Sequence, residues 1–479
     1  MNRRGTVLLA VLVMTAMAAI VAAGLLFRMQ AETYAAANSA DGQQAYAAAM
    51  SGLRGVADLL ATHGGDPAIW SDNPRMLRNQ FVCSDGANDW YFSVYAHNPE
   101  DESTVRYGAT DESGKINLNM AEEPALLKLP GMTNELAACL LDYRDADDAP
   151  RDNGAEQDWY DQRTFPYLIK NGPLATVEEL LLVKGFTGPL VYGEDVNFNG
   201  LLDVGEDDGD ARFPYFDDGD GQLDRGLRAV TTVYSYHPNL SDGGEPRIDL
   251  NGDRKGLADL GLPRQTVEFI EMYRKEGGKF VHPSQLLNMT YQPGNQAAQG
   301  DRRGGPPPGR GWRRRTNGGR IASGVGAEQL PIVVDRLMAG TGGGRAAGRF
   351  GPVNVNTASV EVLAAALAPV LGEDASPTAQ RIVDTRGGLP AENRTTTAWL
   401  YTEQVVDADT FKKIAPLLEA KGYQYRVQCV GFGLPSGRFR VLEAVVDLAR
   451  GTPRILYLRD ITRLGRPFPL DVTQEEFIR

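Results

Sequence analysis

The chain has 479 residues, more than a single hydrophobic core usually holds, so two or more folding units are expected. Its net charge of −13 disfavours nucleic acid as a partner, because proteins bind phosphate backbones through clustered Lys and Arg. The three cysteines, Cys83, Cys139 and Cys429, are too few and too scattered for a disulfide framework or a thiolate metal site.

An uncharged segment dominates the N-terminus. Residues 7–27 form a run of 21 residues without a charge, about the length that crosses a bilayer as a helix. Arg3 and Arg4 precede this run, so the positive-inside rule places the N-terminus in the cytoplasm and the rest of the chain across the membrane. A cleaved secretory signal peptide, cut near residues 22–24, is the alternative. The run is longer than the usual apolar core of such a peptide, which favours a retained anchor.

The predicted helix continues beyond this segment. Ala-rich sequence extends over residues 35–49, and Leu53, Val56 and Leu60 recur at helical spacing. The pattern predicts one helix over residues 6–62 that joins the membrane to a folded domain.

The segment before the helix resembles the type IV pilin signal, a short basic leader that ends in glycine. The resemblance implies a leader of residues 1–5, cleavage by a prepilin peptidase between Gly5 and Thr6, and methylation of the new N-terminus. Ala10 stands at the fifth mature position, where most pilin-like chains carry glutamate. Without that carboxylate the chain cannot pair with the terminal ammonium of a subunit above it, which suits a subunit at the tip of a filament.

Strands are predicted near both ends of the remaining chain, at residues 90–95, 105–107, 425–429, 439–446 and 455–458. A small hairpin by itself is barely stable, so the two groups are expected to form one sheet. The sequence therefore predicts an α+β fold. In it, one α/β domain, made of residues 83–115 and 421–462, is split by a large and mostly helical insertion.

A short sequence repeat marks the insertion: Ile-Asn-Leu-Asn at residues 116–119, Ile-Asp-Leu-Asn at 248–251 and Val-Asn-Val-Asn at 353–356. Each copy precedes apolar residues at helical spacing, and Asn119 and Thr176 have the spacing of helix N-caps. The resulting short helices, joined by glycine turns, resemble helix-hairpin-helix units.

Several segments together resemble the general secretion pathway protein K family in order and spacing. They are residues 111–119, 142–148, 153–156, 160, 171–173 and 177–180. The resemblance covers most of residues 1–190 and 350–460, and it implies a pseudopilin α/β fold that carries an inserted helical domain.

The same resemblance implies a function. It describes a non-enzymatic minor pseudopilin that caps the tip of the type II secretion pseudopilus and initiates its assembly for protein export across the outer membrane. I-type and J-type minor pseudopilins would be its partners. A single-pass anchor would hold it in the bacterial inner membrane, with the bulk of the chain in the periplasm.

Composition divides the insertion further. The expected parts are a first helical part (116–190), an acidic calcium-loop segment (191–228), a second helix-hairpin-helix-like unit (229–290), a disordered Gly/Pro/Arg-rich linker (291–351) and a last helical part (352–420).

The acidic segment has the spacing of an EF-hand calcium loop. Calcium prefers six to eight oxygen ligands on a tightly turned backbone, and Gly200 stands at the position of the sharp turn. A cation would also relieve the repulsion among the acids of this segment. We expect structural Ca²⁺, with the ligands Asp195, Asn197, Asn199, Leu201 through its carbonyl, Asp203 and Glu206.

Two other groups of acids are candidates for the same cation, with a solvated acidic turn as the alternative. One reproduces only the middle of a calcium loop, since Phe216 and Leu227 occupy its first and last ligand positions. The other lies in the acidic motif of the family. Their members are Asp218, Asp220 and Asp224 in the first group, and Asp145, Asp147, Asp148 and Glu156 in the second.

Two rival functions stay open. A membrane-anchored DNA receptor of the competence type also combines one span with helix-hairpin-helix units, but residues 131–133 lack the second glycine of a phosphate-binding turn. A calcium-dependent adhesin is the other. No phosphate cradle or nucleophile elbow occurs in the sequence, so no enzyme activity is expected.

Overall fold

A long N-terminal helix begins the fold. The computed structural model describes residues 3–213, 216–252, 256–292, 320–340 and 348–470, and for residues 3–6 and 210 it describes the backbone alone. The helix α1 (Arg3–His63) is 61 residues long. Its Ala-rich sequence contains no proline, and alanine has the highest helix propensity, so nothing interrupts the turns.

The remaining elements are short helices and strands. The helices are α2 (Pro67–Trp70), α3 (Pro74–Leu77), α4 (Glu123–Leu126), α5 (Asn134–Arg144), α6 (Gln157–Asp161), α7 (Gly188–Tyr192), α8 (Gly226–Val230), α9 (Arg264–Lys275), α10 (Leu330–Arg336), α11 (Val360–Leu371), α12 (Ala375–Gly388), α13 (Trp399–Thr402) and α14 (Ala408–Ile414). The strands are β1 (Gln80–Ser84), β2 (Asp89–His97), β3 (Val105–Arg106), β4 (Thr110–Asp111), β5 (Ile116–Asn117), β6 (Thr231–Thr232), β7 (Tyr236–His237), β8 (Ile248–Asp249), β9 (Thr290–Tyr291), β10 (Ile321–Ala322), β11 (Leu337–Met338), β12 (Arg349–Phe350), β13 (Val353–Asn354), β14 (Leu418–Glu419), β15 (Gln424–Leu434), β16 (Phe439–Asp447) and β17 (Arg454–Asp460).

One antiparallel sheet joins the two ends of the chain. Its order is β1-β2-β15-β16-β17, with β3 beside β2 and β4 beside β15. In the central pair, Val94 of β2 lies opposite Cys429 of β15, and Phe92 lies opposite Gly431. The α+β fold with a long N-terminal helix and a split sheet is thereby confirmed.

The C-terminal half of α1 packs against this sheet. Leu53, Val56 and Leu60 are buried with the inward side chains of β2, β15 and β16. Small residues allow the close approach: a Cβ on Gly431 would overlap the carbonyl oxygen of Ala45. Burying each such Leu or Val contributes about 1.5–3 kcal/mol, so this face anchors the helix.

The insertion consists of three consecutive units, each closed by a pair of short parallel strands. The pairs are β5 with β6, β8 with β11, and β13 with β14. The units therefore span residues 116–232, 248–338 and 353–419. The sequence repeat supplies the first strand of every pair.

The repeated asparagines hold each unit together. In the first unit, the Asn119 side chain donates to the carbonyl of Leu174 at 2.9 Å and accepts from its N–H at 2.7 Å. Asn251 forms the same two bonds with Phe280. The expected N-cap role of Asn119 is therefore wrong. Its side chain binds the backbone of Leu174, 55 residues away, and α4 begins after Glu122.

Thr176 also differs from expectation. It precedes the 3₁₀ helix Val177–Leu182 but makes no side-chain capping bond. Thr133 has that role for α5, since its hydroxyl accepts from the N–H of Leu136 at 3.2 Å.

An arginine near the end of a helix completes each unit. Arg144 donates to the carbonyls of Leu118 and Ala121, Arg274 to those of Asn251 and Gly252, and Arg386 to those of Val355 and Ala358. These carbonyls follow the repeated strand, and the guanidinium groups supply hydrogen-bond donors to them. The arginine therefore fixes the helix to the start of its own unit.

The linker predicted over residues 291–351 is wrong in its second half. Residues 293–319 and 341–347 lie outside the described residues, but residues 330–338 form α10 and β11. Leu330, Val333 and Leu337 are buried there and close the second unit. The apolar spacing of this stretch outweighs the flanking glycines and arginines.

The predicted acidic segment 191–228 is also not a separate part. It lies inside the first unit, because β6 closes that unit only at Thr232.

Candidate metal centres and membrane anchor

The first half of α1 is the one helix among the described residues that is long and apolar enough to cross a membrane. The most apolar window in residues 7–63 has a mean hydropathy of 2.6, and none of it is buried in the protein. Ala10 lies in this exposed part, and Gly5 and Thr6 lie in the first turn. The helix is thus free on all sides until it reaches the sheet.

The predicted calcium loop folds into a tight turn. Phe198 and Gly200 have φ values of +58° and +72°, and a Cβ on Gly200 would lie 2.9 Å from the Cα of His97. The Oδ1 atoms of Asn197 and Asn199 accept from the N–H groups two residues ahead, at 2.9 and 2.8 Å. These turns direct alternate side chains towards the centre of the loop.

The polar side chains of this loop meet. The Asp203 carboxylate accepts from Nδ2 of Asn197 at 2.8 Å and from Nδ2 of Asn199 at 2.9 Å. The Glu206 carboxylate accepts from the N–H groups of Val196 at 3.3 Å and Asp203 at 3.2 Å. The side chains at predicted positions three, five and nine are therefore in contact, whereas position twelve binds backbone N–H groups of the loop. The carboxylates of Asp195, Asp203 and Glu206 do not form a group within 4.8 Å in the described structure, and Leu201 contributes its N–H to the turn.

The electrostatics of the loop suit a cation. Asp195 is 4% exposed, and its Oδ1 has no hydrogen-bond partner among the described residues. Burial, together with the charges of Asp195 and Asp203, raises the pKa of Glu206 to about 8. Buried carboxylates are costly unless a cation or donors compensate them, so the donor set fits the proposed Ca²⁺.

A second group of acids lies after α5. Carboxylate oxygens of Asp145, Asp147 and Glu156 lie within 4.8 Å of one another. Glu156 is buried, and neither of its oxygens has a hydrogen-bond partner within the described part of the chain. Burial raises its pKa to about 7, with further contributions from Asp142 and Asp145. Asp148 is outside this trio and accepts from Nδ2 of Asn171.

A third group contains two acids that the sequence did not indicate. Glu194, Asp217 and Asp218 have carboxylate oxygens within 4.8 Å of one another. Glu194 and Asp217 directly precede the predicted ligands Asp195 and Asp218. This adjacency is the sequence feature that could have indicated them. Asp220 and Asp224 are exposed and do not belong to the group.

The glycine turns of the first unit do not form an open phosphate site. Gly131 and Gly185 have φ values of +64° and +86°. A Cβ on Gly131 would lie 2.6 Å from Cδ1 of Leu190, and one on Gly185 would lie 2.8 Å from Cδ2 of Leu136. Both turns are packed against neighbouring helices, so the DNA-receptor alternative is not favoured.

An apolar helix of membrane length whose second half packs against an antiparallel sheet is the arrangement expected of a pilin-type protein with a membrane anchor. Residues 109–192 match the family described as type II secretion system (T2SS), protein K. This match supports the predicted resemblance to the type II secretion system protein K family over that part of the chain.

Two relatives illustrate the similarity. A putative type II secretion system protein K of Escherichia coli K12 is 32% identical over 108 residues, which are 18% of this chain and 33% of that relative. The match thus spans about a third of that relative's length. A chain in the crystal structure of the GspK-GspI-GspJ complex from the type 2 secretion system of enterotoxigenic Escherichia coli is similar in structure, with 11% sequence identity and a TM-score of 0.41. The match covers 90% of this chain and 99% of the chain in the complex.

Proposed function

We propose that this protein caps the tip of the type II secretion pseudopilus and initiates its assembly for protein export across the outer membrane. The observation that carries the proposal is Ala10, an exposed alanine in the uncharged, unpacked run of residues 7–27 of α1. A buried carboxylate at this height would pair with the ammonium of a subunit above. With alanine at this position, the ammonium of a subunit above would have no carboxylate to pair with. New subunits are therefore added only beneath this protein.

The proposed partners are the I-type and J-type minor pseudopilins and the remaining pseudopilus. Similarity to the protein K family supports them, and so does α1, which offers apolar side chains from Val7 to Tyr34 to lipid or to neighbouring helices. In this proposal the helix spans the inner membrane and the bulk of the chain is periplasmic. The role is one of assembly, without catalysis.

The tip position is tested by labelling. In pseudopili assembled with the other subunits, immunogold against this protein should mark filament ends only. An Ala10→Glu variant should appear along the filament as well, because it restores the pairing group, whereas Ala18→Glu in the same apolar run serves as control for the added charge. Labelling of the unaltered protein along the whole filament contradicts the proposal.

Processing provides a separate test. Co-expression with a prepilin peptidase should yield an N-terminus at Thr6 that is methylated, and Gly5→Val should block the cut. A chain that stays full length, or one cut after Ala23 or Gly24, refutes the pilin-type signal.

We also propose that Ca²⁺ binds the protein as a structural ion. The loop of residues 195–206 would hold it, and the Asp145, Asp147 and Glu156 group and the Glu194, Asp217 and Asp218 group are further candidates. Support comes from buried carboxylate oxygens of Asp195 and Glu156 that have no hydrogen-bond partner in the described part of the chain. The ion would supply positive charge that orders these loops.

A further inference from the structure

A cavity of about 220 Å³ lies between the sheet and the first unit of the insertion. Its walls come from β2, β3, β15 and the start of α8. In a chain whose net charge is −13, the side chains that line it are unusually basic. They include Arg106, Lys115, Arg225, Arg228 and Arg426, with His97 beside them.

Three of these cations share two buried carboxylates. Glu112 accepts from Arg426 Nε at 2.8 Å and from Lys115 Nζ at 2.9 Å. Glu443 accepts from Arg426 Nη1 at 2.9 Å and also from Arg228. Both carboxylates are fully buried, so this network offsets two of the three positive charges and fastens the insertion to the sheet.

The other two cations are less well compensated. Arg106 donates to the carbonyls of Ser71, His97 and Ala109 and to the Thr110 hydroxyl, so its hydrogen-bond partners among the described residues are uncharged. Arg225 donates no hydrogen bond within the described part of the chain. Its nearest carboxylate is Asp195, at 3.8 Å from Nε.

Arg228 adds a buried donor to the same wall. Its Nε has no hydrogen-bond partner among the residues that the structure describes, and Glu178 lies 3.7 Å away. The guanidinium carbon sits 4.1 Å from the ring centre of Phe198, which covers one face of the group. A buried guanidinium donor without an acceptor is costly.

We propose that this cavity binds a small oxyanion, with Arg225 and Arg106 as the principal cations and Arg228 as an additional donor. The volume exceeds the roughly 30 Å³ that a water molecule occupies in the liquid, so a tetrahedral oxyanion has room. Planar guanidinium groups match the oxygen atoms of such an ion in geometry and charge. Arg225, whose side chain is 29% exposed, stands at the entrance.

The charge state of the walls agrees with this role. Burial lowers the pKa of Arg106 to about 10 and that of Lys115 to about 8, and the charge of Arg225 or Arg426 adds to the effect. Keeping these buried side chains charged therefore costs free energy, and a bound anion would offset that cost. The oxyanion has two possible sources, a free inorganic ion or the carboxylate of an acidic side chain from a partner.

The test is calorimetric titration of the full-length chain in detergent at constant ionic strength. Sulfate is the first probe and glutarate the second, and chloride sets the baseline. Saturable binding of either anion is expected. Tighter sulfate binding indicates a free inorganic ion, and tighter glutarate binding indicates a carboxylate side chain.

Arg225→Gln should weaken binding at least about tenfold, since it removes a charged donor. Because Arg225 makes no hydrogen bond within the described fold, this variant should remain folded, and Arg225→Lys should bind with intermediate affinity. Arg438→Gln, an exposed arginine near the β15–β16 turn, is the matched control and should bind as the unaltered chain does. The absence of saturable heat with both anions, or equal affinity in Arg225→Gln, overturns the proposal.

Discussion

The Nε atom of Arg225 lies 3.8 Å from Oδ2 of Asp195, so one ion pair joins the cationic cavity to the proposed calcium loop. Asp195 occupies the first ligand position of that loop, and its other oxygen has no partner among the described residues. The two sites therefore share a charge. A change at Asp195 should affect both, in opposite directions.

Asp195→Asn should abolish most of the calcium response and strengthen anion binding. A chelator is expected to lower the melting temperature of the unaltered chain, because it removes a ligand of the folded state. The variant should lose most of that difference, while its sulfate affinity rises since Arg225 no longer faces a carboxylate. Asp220→Asn, on an exposed acid, is the control. An unchanged chelator effect in Asp195→Asn would refute the loop assignment.

The packing of α1 on the sheet depends on Gly52. A Cβ there would lie 2.5 Å from Sγ of Cys429 and 2.7 Å from Cδ2 of Phe92, so Gly52→Ala should destabilise the chain by about 1–3 kcal/mol. Gly55→Ala, one turn later, meets its nearest atom at 4.0 Å and should stabilise by about 0.5–1 kcal/mol. Urea denaturation would measure both. Equal effects of the two substitutions would contradict the observed contact.

Each of the three unit-closing arginines, Arg144, Arg274 and Arg386, should contribute measurably to the free energy of unfolding. Arg386→Gln removes two bonds of 2.8 Å, to the carbonyls of Val355 and Ala358, and should cost about 1.5–3 kcal/mol. Arg381→Gln is the matched control, because this residue lies exposed on the same helix, α12. If both substitutions shift the denaturation midpoint alike, Arg386 does not have this structural role.

Acid should destabilise the protein through His237. Burial lowers its pKa in the folded state to about 4, whereas an unfolded chain has about 6.5. As the pH falls from 6.5 to 4, His237 is protonated in the unfolded state but not in the folded state. The free energy of unfolding therefore decreases by up to about 1.4 kcal/mol per pH unit.

Denaturation at several pH values in this window would measure that slope. His237→Gln should reduce the slope by an amount that corresponds to nearly one proton bound on unfolding. His63→Gln, at the exposed end of α1, should leave the slope unchanged. A slope that stays the same in His237→Gln would contradict the assignment.

The apolar helix, the individual strands and the resemblance to the protein K family were predictable because each depends on local sequence. An uncharged run of membrane length predicts a membrane helix, and alternating apolar residues predict strands. Asn119 shows the limit of this approach. The repeat was visible, but its asparagine spacing also suits an N-cap, and only the contact with Leu174 distinguishes the two roles.

The metal-site groups show the same division. The spacing of residues 195–206 contains a complete loop pattern, whereas Glu194 reaches Asp217 only through the folded backbone. The sequence by itself determined the anchor, the strands and the candidate loop, since these features follow from neighbours along the chain. The tertiary structure decided the three closed units and the basic cavity, because their charges and carbonyls come from segments that are far apart along the chain. Arg426 and Glu112, for example, are separated by 314 residues.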